Sequence, residues 1–220
     1  MTDEINEKKK LYVHIPSYVV RNEGIYISND EFVMYARLCF LYFRKFHEKE
    51  IELDPKKFRL FLRIGDTRTF KKRLNNLNKA GLIETEIQDL PNKGTIKIVL
   101  NEEAYKKGEH FTKLSSEVFT YWLNDQIDEY AFRQLFYYKS HINLNDKDKT
   151  KWYCFVGFET LTKRLKISRS KVESANDQLK EAKLITVKVN KLQNTGTYNE
   201  CDELIYHRPN NEYHVAKRLH

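Results

Sequence analysis

Hydrophobic residues along this chain follow two rhythms, a helical one of three and four residues and a strand rhythm of two, and the rhythms recur in the same order twice. Phe32, Val33, Ala36, Cys39, Phe40 and Phe43 share one face, which predicts a helix capped by Asp30. "EIEL" reads as a short strand. Asp54 and Pro55 then supply a cap and a proline at the first helical position, opening a second helix that runs through Arg63. Asp66 is expected to cap a third helix that turns Phe70, Leu74 and Leu77 inward and ends at Gly81, a residue suited to the left-handed conformation that closes many helices. "LIETEIQ", a turn at "LPNKG" and "TIKIVL" alternate as a two-stranded hairpin.

The second half repeats the pattern. Asp128 is expected to cap a helix with the stripe Ala131, Leu135 and Tyr138; "WYCFV" is the short strand; Phe158 to Lys166 is the second helix; Ser168 caps the third. "LITVKV" opens a hairpin that "ELIYH" closes. Phe70, Leu77, Leu82 and Ile83 fall on Val172, Leu179, Leu184 and Ile185 at a constant offset of 102 positions, with Gly65 as one extra turn residue in the first copy. "HIPSYV" and "TKLSSEV" lead into the two copies, and "FTYWLNDQI" is apolar enough for an interface or for a helix that packs the units together, with packing the favoured reading. The expected organisation is a flexible N-terminus over 1–10, one unit over 11–105, the polar linker "EEAYKKGEH", a second unit over 110–206 and a C-terminal tail over 207–220.

Helix, strand, helix, turn, helix, hairpin is the order of a winged helix-turn-helix, and "LKISRSKVESANDQLKEAKLI" resembles the helix-turn-helix of bacterial winged-helix DNA-binding proteins. The doubled arrangement is similar to plasmid replication initiators built from two such domains and to phage replisome organisers. The resemblance implies a mainly α fold with small β-hairpins, α+β in class, as two tandem winged helix-turn-helix domains. It further implies a sequence-specific double-stranded DNA-binding protein that acts in transcription regulation or replication initiation of a bacterial plasmid or phage. A tandem scaffold for protein interaction within a replication, segregation or transcription assembly is the alternative.

In such a fold the N-terminal part of the third helix enters the major groove, so its outward residues are basic, amide or hydroxyl. In the first copy these are Arg68, Thr69, Lys71, Lys72, Asn75 and Asn76. Arg68 suits guanine edges, Thr69 and Lys72 reach bases or phosphate, and Asn75 or Asn76 suits adenine. Five basic residues against Asp66 give this helix +4. In the second copy Arg169, Ser170, Lys171 and Ser174 are the groove-facing set, with Ser168 chiefly a cap, but Glu173, Asp177 and Glu181 reduce the helix to +1. Phosphate contacts are expected from Lys56, Lys57 and Arg59, from Lys163 and Arg164, and from the wings through Lys93, Lys97, Lys188 and Lys191. Because Glu84, Glu86 and Asp89 oppose phosphate, the first wing is expected to act through its tip, Asn92 and Lys93.

Composition changes this picture little. Lys and Arg outnumber Asp and Glu by 39 to 31, a net charge of +8, which favours a polyanionic partner. No apolar run reaches the roughly 18 residues of a membrane span, and "MTDEINEKKK" carries charge where a signal peptide is apolar, so a cytoplasmic protein with no membrane partner is expected. Cys39, Cys154 and Cys201 lack any metal-binding or paired spacing, and Cys39 and Cys154 read as small core residues. The seven histidines form no His-x-His pair, the seven glycines form no phosphate loop, and Asp146 and Asp148 lie in a polar loop without a calcium-loop pattern. No cofactor, metal or enzymatic activity is therefore expected. Tyr137, Tyr138, Phe132, Phe136, Trp152, Tyr153, Phe155 and Phe158 read as core rather than a base-stacking platform. A homodimer on a palindromic site and a replication or transcription protein are the further partners this reading admits.

Overall fold

The structure, a computed structural model, describes residues 10–91, 93–107, 110–191, 193–198, 200–202, 204–207 and 209–220. The expected flexible segment 1–10 thus lies outside the described residues except for Lys10, as do Asn92 and the Gly108–Glu109 part of the linker. The fold is mixed α+β with small antiparallel sheets.

The first half runs β1 (Tyr12–Pro16), α1 (Ser17–Arg21), α2 (Asn29–Arg44), β2 (Glu50–Leu53), α3 (Pro55–Phe61), α4 (Thr67–Lys79), β3 (Ile96–Val99) and α5 (Glu102–Lys106). The second runs β4 (Phe111–Ser115), α6 (Val118–Leu123), α7 (Glu129–Ser140), β5 (Cys154–Phe155), α8 (Phe158–Leu165), α9 (Arg169–Glu181), β6 (Ile185–Lys188), β7 (Gln193–Tyr198), β8 (Leu204–His207) and β9 (Glu212–Val215), and ends in a 3-10 turn at Lys217–Leu219.

Local chemistry places most boundaries. The Asp54 carboxylate accepts from the Lys56 and Lys57 amides, Asp66 from Thr69, Asp128 from Ala131, and the Ser168 hydroxyl from Lys171. The cap of α2 is Ser28 rather than Asp30. Its hydroxyl accepts from the Glu31 amide, and the Glu31 carboxylate accepts from the Ser28 amide, a reciprocal box that satisfies two free donors.

The two lead-in segments form one ribbon. β1 pairs antiparallel with β4, Val13 opposite Leu114 and Ile15 opposite Thr112, so the halves are joined about an approximate twofold relation. Beneath the ribbon α2 packs on α7, with Phe32 5.5 Å from Phe136 and 6.3 Å from Phe132. Both helices are buried on more than the single stripe their spacing predicts, and every residue from Ala131 to Lys139 is buried.

Polar residues inside such a helix need partners. Arg133, wholly buried, donates to the Val19, Val20 and Ile27 carbonyls and the Asn22 side chain. Gln134 and Tyr138 both bond Asn176 of α9.

Two reciprocal clasps lock the seam. Arg63, left-handed at φ +57°, lies 4.3 Å over Trp122 and 2.7 Å from Asp125, while Trp122 Nε1 donates to the Phe61 carbonyl at 2.7 Å. In the other direction Lys166, at φ +51°, lies 3.8 Å over Tyr26, and Asn22 donates to the Arg164 carbonyl at 2.9 Å. Burial of Val118, Phe119 and Trp122 makes α6 the packing helix anticipated from its sequence.

Both hairpins differ from expectation. In the first half β3 pairs with β2 rather than with "LIETEIQ", which contributes one isolated bridge, Ile83 to Leu100. Ile87 turns into the core and draws that segment away from the ladder. In the second half β6 is closed by β9, the middle strand of the order β5-β9-β6, while Leu204–His207 of "ELIYH" pairs with β7 in a separate hairpin.

Residues 207–220 are consequently no tail: Tyr213 and Val215 alternate into the core and Leu219 is fully buried. The linker likewise begins as α5, capped by Asn101 and anchored by buried Tyr105.

Candidate nucleic-acid interface

α4 packs on α2, and α9 on α7, through the faces expected from their spacing: Phe70, Leu74 and Leu77 in one, Val172, Ala175 and Leu179 in the other. Their outward faces carry the residues singled out above, and the structure divides these into free groups and groups already committed.

On α4, Arg68 and Lys72 are exposed and form no ion pair with any described residue. The others are occupied. Hydrogen bonds from Thr69, through its side chain and its amide, hold the Asp66 carboxyl below the usual carboxylate range, so the Thr69 hydroxyl serves the cap. The Lys71 ammonium bonds the Gln88 carbonyl and sits 3.7 Å from Asp89. Asn75 receives the Ile87 N–H at 2.9 Å and donates to its carbonyl at 3.0 Å, completing a strand-like pairing for a backbone that has left the sheet. Asn76 donates to Glu31 at 2.6 Å.

Gln178, 102 positions after Asn76, does similar work in α9, accepting from the Asp128 amide at 2.8 Å and donating to its carboxylate at 3.0 Å. Asn75 and Asn76 are therefore structural ties, a correction to their reading as adenine contacts. The two bonds to Ile87 fix the orientation of the Asn75 amide, and Glu31 anchors that of Asn76, so neither amide is free to swing onto an adenine edge.

On α9 the expected set is less open. Arg169 pairs with Glu173 at 3.0 Å and lies 5.3 Å over Phe158; Ser170 bonds Ser168 at 2.9 Å; Lys171 lies 4.8 Å over Tyr130. Ser174 is exposed.

Two acids sit between the helices. Burial raises the Asp30 and Glu129 carboxyls, and each carries a basic neighbour, Arg73 at 3.0 Å for Asp30 and Lys171 for Glu129. They offset Arg73 and Lys171, leaving the charges of Arg68 and Lys72 uncompensated.

Among the phosphate candidates, Lys56, Lys57, Lys93, Lys163, Arg164 and Lys191 are exposed. Arg59 is not available. Its guanidinium bonds the Thr67 hydroxyl at 2.7 Å and the Gly65 carbonyl, tying the turn between α3 and α4. Lys188 is held by Glu212 at 3.1 Å, and Lys97 by Glu50 at 3.1 Å.

Lys163 and Arg164 border a cleft of about 680 Å³ that also draws in Lys166, Tyr26 and Asn22. These last three had no motif to announce them. The signal for Lys166 is positional, since it stands 103 residues after Arg63 and shares its left-handed backbone.

Of the aromatics expected in the core, Phe132, Phe136, Tyr137 and Tyr138 are buried, with Tyr138 stacked on Tyr213 at 4.2 Å, whereas Trp152, Tyr153 and Phe158 are partly buried and Phe155 is half exposed. Burial pushes the Cys154 thiol up to about 12, leaving it protonated and unreactive at neutral pH. Among the described residues no helix is long and apolar enough to cross a membrane. Compared with known proteins, the chain matches no protein-family model and no curated protein.

Proposed function

We propose that this protein binds double-stranded DNA sequence-specifically through two winged helix-turn-helix units and acts in transcription regulation or replication initiation on a bacterial mobile element. The observation that carries the reading is the sorting of charge on α4. Lys71 and Arg73 are tied to acidic partners, while Arg68 and Lys72, in the first two turns, stand exposed with no such partner among the described residues.

A recognition helix needs this arrangement, because its N-terminal residues meet base edges in the major groove and the remainder must hold the helix in place. Lys56 and Lys57 at the start of α3 flank it for phosphate contact. The locked seam supports a fixed spacing between α4 and α9.

The test is binding of Arg68→Ala/Lys72→Ala to a duplex selected from a random library, with affinity followed against salt. We expect specific affinity to collapse and the slope of log K on log salt to fall by about one for each phosphate no longer neutralised. A double variant that melts like the wild type yet keeps full affinity would sink the proposal. Weak, sequence-blind retention together with a stable protein complex would point to the scaffold alternative.

A further inference from the structure

We infer that the cleft between the α1–α2 loop and the C-terminal part of α8 is a preformed site for a phosphate-bearing ligand, spanning the seam between the halves. The inference rests on the DNA-binding reading for its setting and adds a site to it. Asn22 and Tyr26 form the wall from the first half; Lys163, Arg164 and Lys166 form the facing wall. None of these three cations forms an ion pair with a described residue. Glu159, the single carboxylate in the lining, offsets one charge and leaves about two positive charges. That balance fits a dianionic phosphate ester or two successive phosphodiesters. Thr160 adds a hydroxyl donor.

The site is held from behind. The Lys166 ammonium rests 3.8 Å over the Tyr26 ring, which fixes its position without neutralising it. Asn22 ties the first wall to the Arg164 carbonyl and is itself held by Arg133 at 2.6 Å, a residue buried in the shared core. A site whose walls are already ordered loses less entropy on binding than one assembled from loose lysines.

The first half supplies an internal control. At an offset of 103, Lys163, Arg164 and Lys166 correspond to Leu60, Phe61 and Arg63. Leu60 is an apolar side chain 81 % exposed, and Arg63 is neutralised by Asp125 at 2.7 Å. The same clasp is therefore built without free charge in one half and with three free cations in the other. The basic lining is separate from the requirements of the clasp, and it is what a phosphate would recognise.

Phosphate reaches such a cleft either as DNA backbone or as a free phosphate ester, and the two sources are separable with Lys163→Gln/Lys166→Gln in the full chain. Affinity for the selected duplex is measured against salt, and binding of pyrophosphate and of dAMP is measured by calorimetry. A slope reduced by about two at unchanged Tm supports the site with backbone phosphates as its occupant. Saturable pyrophosphate or dAMP binding by the wild type, abolished in the variant while the slope stays, supports it with a free phosphate compound as its occupant.

Lys163→Gln alone, an exposed substitution, is expected to give about half the slope change. Equal slopes, with no difference in pyrophosphate or dAMP binding between variant and wild type, would overturn the inference. Arg68→Ala/Lys72→Ala on the same duplex keeps the two claims apart. Its failure to weaken binding counts against α4 as the reading helix, while the cleft is judged by its own slope and calorimetry.

Discussion

Asn75 decides whether the outward amides of α4 serve the protein or a base. Its side chain accepts from the Ile87 amide at 2.9 Å and donates to the Ile87 carbonyl at 3.0 Å, and Ile87 is buried. Replacing it by alanine removes two hydrogen bonds worth about 0.5–1.5 kcal/mol each and leaves a backbone donor without a partner in a dry place, so Asn75→Ala is expected to cost about 2–3 kcal/mol. For a chain of this size that is a fall in Tm of roughly 4–12 °C. Urea unfolding monitored by far-ultraviolet circular dichroism reads the same destabilisation as a lower midpoint at constant slope. Asn75→Asp is the informative comparator. It keeps the acceptor for the Ile87 N–H but sets a carboxylate against the Ile87 carbonyl, so at pH 7 it should destabilise at least as much as alanine. Unchanged stability in both variants, combined with a collapse of DNA affinity, would refute this reasoning and restore Asn75 as a base contact.

Two further perturbations follow from backbone and charge. Gly81 and Lys183 close α4 and α9 at the same left-handed conformation, φ +71° and +55°, and a Cβ at Gly81 meets no atom within 4 Å. Gly81→Ala should therefore cost only the conformational penalty of about 1 kcal/mol, and Lys183→Gly should gain a comparable amount, both read from Tm. Gly81→Ala without effect would contradict that account. His14 stacks on Phe43 at 4.0 Å, and burial, with help from Lys113 and His47, holds its pKa down at about 4. Its folded value lies below the unfolded one, near 6.5, so its contribution is whole above pH 6.5 and is lost as pH falls towards 4. The ceiling is about 3 kcal/mol, and solvent screening of the partly exposed ring brings the expected loss to about 1–2 kcal/mol. An NMR titration of the His14 ring with a midpoint near 6.5 would show the idea to be wrong.

The repeat was legible because it is written in core spacing. Phe70 and Val172, or Leu77 and Leu179, must face the same kind of neighbour in each half, and an offset of 102 survives in the caps Asp66 and Ser168. The hairpin pairings are not legible, for the opposite reason. Several short alternating segments compete for one ladder, and the winner is decided by which side chains the core accepts. Ile87 left the ladder for the core, and Tyr213 with Val215 displaced "ELIYH". The site was half legible. Residue type on an outward helix face identifies a capable side chain, but only coordinates show that Asn75, Asn76, Arg59 and Lys188 are already engaged. The cleft residues Asn22, Tyr26 and Lys166 meet across the seam, a proximity that no periodicity encodes.

Because the two halves share caps, turns and clasps, each acts as a control for the other, and what differs between them is what the shared fold does not demand. In the first half, cations without an ion pair among the described residues stand on the third helix, at Arg68 and Lys72, and at the start of α3, at Lys56 and Lys57, while the clasp at Leu60 and Arg63 is apolar or neutralised. In the second half the positions matching Arg68 and Lys72 are Ser170 and Ser174, Arg169 is paired with Glu173, and the unpaired charge has moved to Lys163, Arg164 and Lys166 beside the clasp. Selection for stability alone gives no reason for such a transfer, since an exposed unpaired cation contributes little to folding. On the DNA-binding reading the difference is a division of labour, with base contact concentrated in the first unit and the second adding backbone grip to that of Lys56 and Lys57. A rigid seam is what lets the second hold the first in register.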